Sequence, residues 1–136
     1  MWAWARLQAH AGRRPVYYCS FRQQPPFPAD SVYQGWGASH FAELQYVFDH
    51  LDQEPWPWSA ADCKLAEEIS SYWVNFAKSG NPNGQGVPAW PAFTNPEGKV
   101  LYLGDPITAG GVVNIESLKI FDSIYADIRG KSFAAR

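Results

Sequence analysis

The chain has 136 residues, 46 % apolar and 18 % charged, with a formal net charge of −2 from 13 acidic and 11 basic groups. This length and composition suit one packed domain, residues 1–136, and exclude a disordered chain. The charge balance gives no footprint for nucleic acid or an anionic membrane, and no apolar run is long enough to span a bilayer.

Residues 2–11 are Ala-rich and predict a helix ending near Gly12, a C-cap position. No N-cap signal precedes it, so the chain is expected to start inside this helix. The same stretch lacks the basic start and apolar core of a signal peptide, and the compartment stays open. Residues 16–21, β-prone after Pro15, predict a buried strand. Pro25, Pro26, Pro28, Gly35 and Gly37 make residues 22–39 a loop, which His40 closes. Residues 41–48 predict one or two helical turns. Residues 49–58 follow as a connection in which Trp56 and Trp58 read as packing anchors rather than a ligand platform. The clearest helix has Ser59 as its cap and Asp62 in the N3 place of a capping box. Ala61, Leu65, Ile69, Trp73 and Phe76 form its apolar stripe, and Lys64 and Glu68 its wet side. Lys78 suits its C-terminal dipole and Gly80 stops it. Residues 81–84 and 95–98 predict turns, 90–93 an anchored extended segment, and 100–103 a strand. A last helix over 116–129 places Leu118, Phe121, Tyr125 and Ile128 on one face and ends at Gly130. Helices with only two strands predict an α/β or α+β piece with an incomplete sheet. With 7 Trp, 7 Tyr and 8 Phe, such a piece has more apolar surface than it can bury alone.

Three histidines are present. His10 lies in the Ala-rich helix, and His50 follows Asp49 at a helix end, where a cation suits the dipole; both read as structural or solvated. Cys19 and Cys63 have no CxxC spacing and read as two small buried thiols. No HxxxH or HExxH occurs, so neither a metal site nor a cofactor is expected. His40 differs in context. It follows Gly35-Trp36-Gly37-Ala38-Ser39 on a loop after a buried strand, where a rigid scaffold can present an exposed imidazole.

The words around it carry more. Gly37-Ala38-Ser39-His40-Phe41-Ala42-Glu43-Leu44-Gln45-Tyr46-Val47-Phe48 resembles the type-B carboxylesterase segment G-A-x-H-x-x-E-L-x-Y-V-F. Tyr72-Trp73-Val74-Asn75-Phe76-Ala77-Lys78-Ser79-Gly80-Asn81-Pro82-Asn83-Gly84 resembles that family's Y-W-x-N-F-A-K-x-G-x-P-N-G, and Pro88-Ala89-Trp90-Pro91-Ala92-Phe93 its P-x-W-P-x-[YF]. Order and spacing agree in all three blocks, and Pro15-Val16-Tyr17-Tyr18 is similar to the strand before the histidine loop. The resemblance implies an α/β-hydrolase fold, of which this chain is expected to be the C-terminal portion: helices, few strands, an incomplete central sheet. It also implies hydrolysis of a small-molecule carboxylic ester by serine, acid and histidine, in that chain order. His40 aligns with the base of that triad. Phe41, where family members often have a small residue, and Trp36 become candidates to line the pocket; for Phe41 ordinary packing is the other reading. Glu43, in the matching E-L-x-Y-V-F setting, is expected to stand behind the histidine, or else to pair with a nearby cation.

The nucleophile elbow G-x-S-x-G does not occur in these residues. Ser39 lacks the second glycine and is next to His40 in sequence, and no HGGG-like oxyanion loop is present. In the family the serine and the acid precede the histidine, so they are expected upstream of Met1. The chain alone is therefore expected to be inactive and to self-associate through exposed core surface. The other reading is a non-catalytic binding protein derived from the esterase fold. An adjoining upstream coding stretch with G-x-S-x-G would tell the two apart.

Overall fold

The computed structural model describes residues 1–94 and 98–134, with side chains described through residue 130. The turn expected over 95–98 falls outside the described residues apart from Gly98. Helix α1 covers Trp2–Ala11, and the Gly12 amide returns to the Gln8 carbonyl at 2.7 Å. Gly12 itself is extended (φ −77°), so the chain leaves α1 without a left-handed cap.

Strand β1 is Cys19–Phe21, shorter than the run of β-prone residues. Before it, Val16 and Tyr18 accept single backbone bonds from Phe93 (2.7 Å) and Leu101 (2.9 Å). The first of these comes from an irregular segment, which extends no ladder. Strand β2, Val100–Leu103, lies parallel to β1, with Cys19 opposite Leu101 and Phe21 opposite Leu103. A parallel pair needs a long crossover, and the segment holding α2 (Leu44–Val47) and α3 (Ala60–Ser79) supplies it. The sheet has a third strand that the sequence did not announce: β3, Thr108–Gly110, antiparallel to β2. Thr-Ala-Gly has little β-propensity, and its pairing comes from the chain turning back after Pro106. Gly110 is needed there, because a Cβ would come within 2.5 Å of the Tyr102 ring.

Helix α3 begins with the expected capping box: Ser59 Oγ accepts from the Asp62 amide, and Asp62 accepts from the Ser59 amide. Gly80 ends it in the left-handed conformation (φ 73°). Its buried face is Asp62, Leu65, Ala66, Ile69 and Tyr72. The expected stripe is therefore rotated, with Trp73 and Phe76 left 39 % and 50 % exposed. Two polar groups turn inward because they are satisfied there: Tyr72 donates to the Pro88 carbonyl at 2.6 Å, and Asp62 accepts four hydrogen bonds. The core, between α3, α2 and the sheet, joins Tyr46, Leu51, Leu65, Ala66, Ile69, Tyr72, Trp90, Leu101 and Leu103.

Asn83 pairs with Trp90 at two points: its amide nitrogen donates to the Trp90 carbonyl (2.9 Å) and its oxygen accepts from the Trp90 amide (2.7 Å). Tyr17 donates to Asn81 (3.1 Å), so the turn after α3 is tied both to the segment entering β1 and to the extended segment at 90–93. Helix α4 covers Ile115–Ala134 and runs through Gly130, which was expected to stop it. A glycine inside an exposed helix costs only about 1 kcal/mol relative to Ala. Asp122 on α4 bonds Arg6 on α1 at 2.6 Å, yet Ile120, Phe121, Ile124, Tyr125 and Ile128 stay roughly half-exposed or more.

Candidate active-site histidine

The site is built from β1 outward. Arg22 makes the last bond of the strand, donating to the Leu103 carbonyl at 2.7 Å, and the chain then enters the loop that carries His40. The Gln34 side-chain amide braces this loop by donating to the carbonyls of Phe27 and Pro28. Gly35 (φ 79°) and Gly37 (φ 60°) adopt left-handed turns on either side of Trp36, a conformation that glycine takes at no steric cost. The Ala42 amide closes a turn onto the Ser39 carbonyl (3.0 Å) around His40, and α2 starts at Leu44.

Both ends of the loop are held by one buried carboxylate. Asp62 Oδ1 accepts from Gln23 (3.0 Å) at the loop's start and from the Tyr46 hydroxyl (2.9 Å) six residues past His40. Its Oδ2 accepts from the Ser59 amide (3.0 Å) and hydroxyl (2.7 Å). Gln23 continues the chain of bonds by accepting from the Asp105 amide in the β2–β3 turn (3.3 Å). Burial pushes the Asp62 carboxyl upward in pKa, but the donors from Ser59, Tyr46 and Gln23 outweigh it and hold the group below its ordinary 3.8. Burial, and the hydrogen bond to Asp62, push the Tyr46 phenol well above its ordinary range. Local sequence showed only the capping part of this arrangement. Gln23 and Tyr46 are 39 and 16 residues from Asp62, and no local pattern connects them.

His40 is exposed, and its ring lies 4.0 Å from that of Phe41, tilted by 38°. Phe41 is itself in the left-handed region (φ 72°), unusual for a bulky residue, and is 61 % exposed. A cavity of about 330 Å³ opens beside them, walled by Trp36, Tyr33, Phe27 and Trp56 together with the polar Ser39, Gln45 and Glu54 and by Ala42. Tyr33 packs edge-on against Trp36 (5.3 Å), and Trp56 edge-on against Phe27 (5.0 Å). Trp58 is the anchor the sequence suggested, packed on Tyr46 (5.8 Å) with its indole N–H donating to the Glu54 carbonyl. Trp56 differs, since it forms a wall of the cavity. The structure thus brings Trp36, His40 and Phe41 to one cavity.

Glu43 lies apart from these three. It stands at the N-terminus of α2, and its carboxylate acts on the Cys19 thiol, which burial and then Glu43 push up to about 11. Glu43 makes no ion pair among the described residues. Cys19 is partly buried and Cys63 exposed, and both are free thiols. Among the described residues no group of three or more His, Cys, Asp or Glu could hold a metal ion. No described helix is long and apolar enough to cross a membrane.

The model of the Carboxylesterase family matches residues 3–119. The chain belongs to the carboxylesterase family. The match runs from α1 through the histidine loop, α3 and the sheet, and ends early in α4. Liver carboxylesterase 1 of Oryctolagus cuniculus is 35 % identical over 128 residues, which is 90 % of this chain and 21 % of that protein. Bile salt-activated lipase of Rattus norvegicus is 34 % identical over 111 residues, 79 % of this chain and 18 % of the lipase. Among solved structures, PNB esterase superposes with a TM-score of 0.69 and 30 % identity over 86 % of this chain and 23 % of its own. These likenesses give the chain its place in the α/β-hydrolase fold, as helices around a small three-stranded part of the sheet. The chain spans about a fifth of the curated relatives' length.

Proposed function

We propose that this chain carries the base of a serine carboxylic-ester hydrolase, and that His40 is that base. One observation carries the reading: the family match includes an imidazole that is exposed on the wall of a cavity and follows β1 by a braced loop. His40 removes the proton from a serine hydroxyl as the oxygen attacks the ester carbonyl. It then gives that proton to the departing alcohol, leaving an acyl-enzyme that water hydrolyses by the same relay. These 136 residues contain no G-x-S-x-G, so the serine and the triad acid come from polypeptide outside them, and the chain by itself is inactive. We assign Glu43 at most an indirect part, through its backbone position at the start of α2 just after the histidine turn, since its carboxylate lies toward Cys19.

A serine-directed fluorophosphonate and p-nitrophenyl acetate test this. The chain alone should neither label nor hydrolyse; joined to the polypeptide that supplies serine and acid, it should do both. In that complete enzyme, His40→Gln should lower turnover by roughly 10²- to 10⁴-fold, the usual contribution of a general base. Labelling of the chain alone, or undiminished turnover by H40Q, would overturn the proposal.

A further inference from the structure

We propose that Asn83 is a spontaneous deamidation site that the folded chain holds shut with the side chain's own hydrogen bonds, so that opening of the segment after α3 leads to a covalent change the fold cannot reverse. The sequence supplies the reactive pair. Asparagine is thermolabile, and Asn83 is followed by Gly84, whereas no other asparagine of the chain precedes a glycine. Glycine leaves its backbone nitrogen unshielded by a side chain and gives the peptide freedom to turn back on the asparagine. The Gly84 nitrogen loses its proton to water and attacks Cγ of Asn83. The N–Cγ bond forms, the Cγ–Nδ2 bond breaks, and ammonia leaves after taking up a proton. Water then opens the resulting succinimide ring at either carbonyl, which yields aspartate or isoaspartate. Nothing is oxidised or reduced, and water is the co-reactant.

The fold opposes the first step at both reacting groups. Asn83 Oδ1 accepts from the Trp90 amide (2.7 Å), while Nδ2 donates to the Trp90 carbonyl (2.9 Å) and to Asn81 Oδ1 (2.9 Å). Cγ cannot swing toward the Gly84 nitrogen without breaking these bonds. Gly84 is seated closely too: a Cβ there would come within 2.5 Å of Asn75 Nδ2, which is itself fixed to the Pro82 carbonyl (3.1 Å). Gly84 is exposed and Asn83 half-buried, so water reaches the pair and hydrogen bonding, rather than burial, gives the protection. The product does not fit back. Deamidation replaces the donor Nδ2 by a carboxylate oxygen, which then faces two acceptors, the Trp90 carbonyl and Asn81 Oδ1. Trp90 is buried against Tyr17 and Tyr72, and Tyr17 donates to Asn81, so the loosening reaches the segment entering β1.

The test follows Asn83 in the full chain by peptide mass mapping during incubation at mildly alkaline pH, in buffer and in urea. The acid at this position should accumulate in urea. In buffer it should form roughly tenfold to a thousandfold more slowly, because three side-chain hydrogen bonds must open first. Asn81→Ala, which removes one acceptor of the Asn83 amide, should hasten conversion in buffer roughly two- to tenfold and leave the rate in urea unchanged. Asn83→Asp, which makes the aspartate product directly, should speed hydrogen exchange of the Trp90 amide severalfold. No conversion in urea would show that Asn83 is not a modification site. Equal rates in buffer and urea, or an unaltered rate in N81A, would show that its hydrogen bonds do not guard it. Unchanged exchange at Trp90 in N83D would show that the product fits back into the fold. Each of these results overturns the proposal.

Discussion

Asp62 joins three segments that are distant in sequence, and it is the residue whose loss should spread furthest. Asp62→Ala removes the carboxylate half of the α3 capping box, leaving the Ser59 cap in place, and leaves the Tyr46 hydroxyl buried without its acceptor. We expect a loss of about 2–4 kcal/mol in urea unfolding. The pH dependence has a definite sign. The folded carboxyl titrates below 3.8, so its contribution is complete above the unfolded value near 3.8 and is lost as pH falls through the folded value. Melting temperature should fall on acidification below about pH 4, and Asp62→Asn should flatten that fall. Tyr46 acts at the other end: its folded pKa is raised, so its contribution is lost as pH rises beyond the ordinary phenol value of 10. Cysteine chemistry should separate the two thiols. Iodoacetamide at neutral pH should alkylate exposed Cys63 in the native protein and reach Cys19 only on unfolding, since Cys19 is partly buried with its pKa near 11. At this scale the sequence made His40, Phe41 and Trp36 visible through neighbouring residues. Gln23 and Tyr46 stayed hidden because each meets Asp62 only after the chain has folded back.

Among the elements, α3 shows how far periodicity reaches. Its cap, its length and its left-handed Gly80 stop are local properties, and all three could be read from residues 59–80. The direction of its buried face was not local, because Tyr72 and Asp62 turn inward to partners on other segments. The observed face predicts a contrast. Ile69→Ala, at a fully buried position, should cost about 2–5 kcal/mol, whereas Phe76→Ala, half-exposed, should cost clearly less. Equal losses in denaturant titration would restore the stripe that spacing suggested. Strand β3 marks the opposite limit. Thr108 alone favours a strand against Ala109 and Gly110, and the place of β3 depends on Gly110 lying against Tyr102. Gly110→Ala should therefore loosen the β2–β3 pair, seen as faster amide exchange at residues 100–103.

Over the whole molecule, the unpartnered surface is the main feature. The α4 face from Ile120 to Ile128 is apolar and exposed, and Trp73, Val74 and Phe76 add a second apolar area on α3. We propose that the chain on its own self-associates through α4. Sedimentation should show oligomers at micromolar concentration, and Ile124→Asp should shift them toward monomer without lowering the unfolding free energy by more than about 0.5 kcal/mol, as expected of an exposed position. Family membership, the helices and the position of His40 were all determined by the amino-acid sequence, because capping, periodicity and motif spacing act over a few residues. Tertiary structure alone decided which side of α3 is buried, that a third strand forms, and that Asp62 ties down both ends of the histidine loop. Each of these depends on groups meeting across long stretches of chain, where a polar side chain is buried only if its partner arrives from elsewhere.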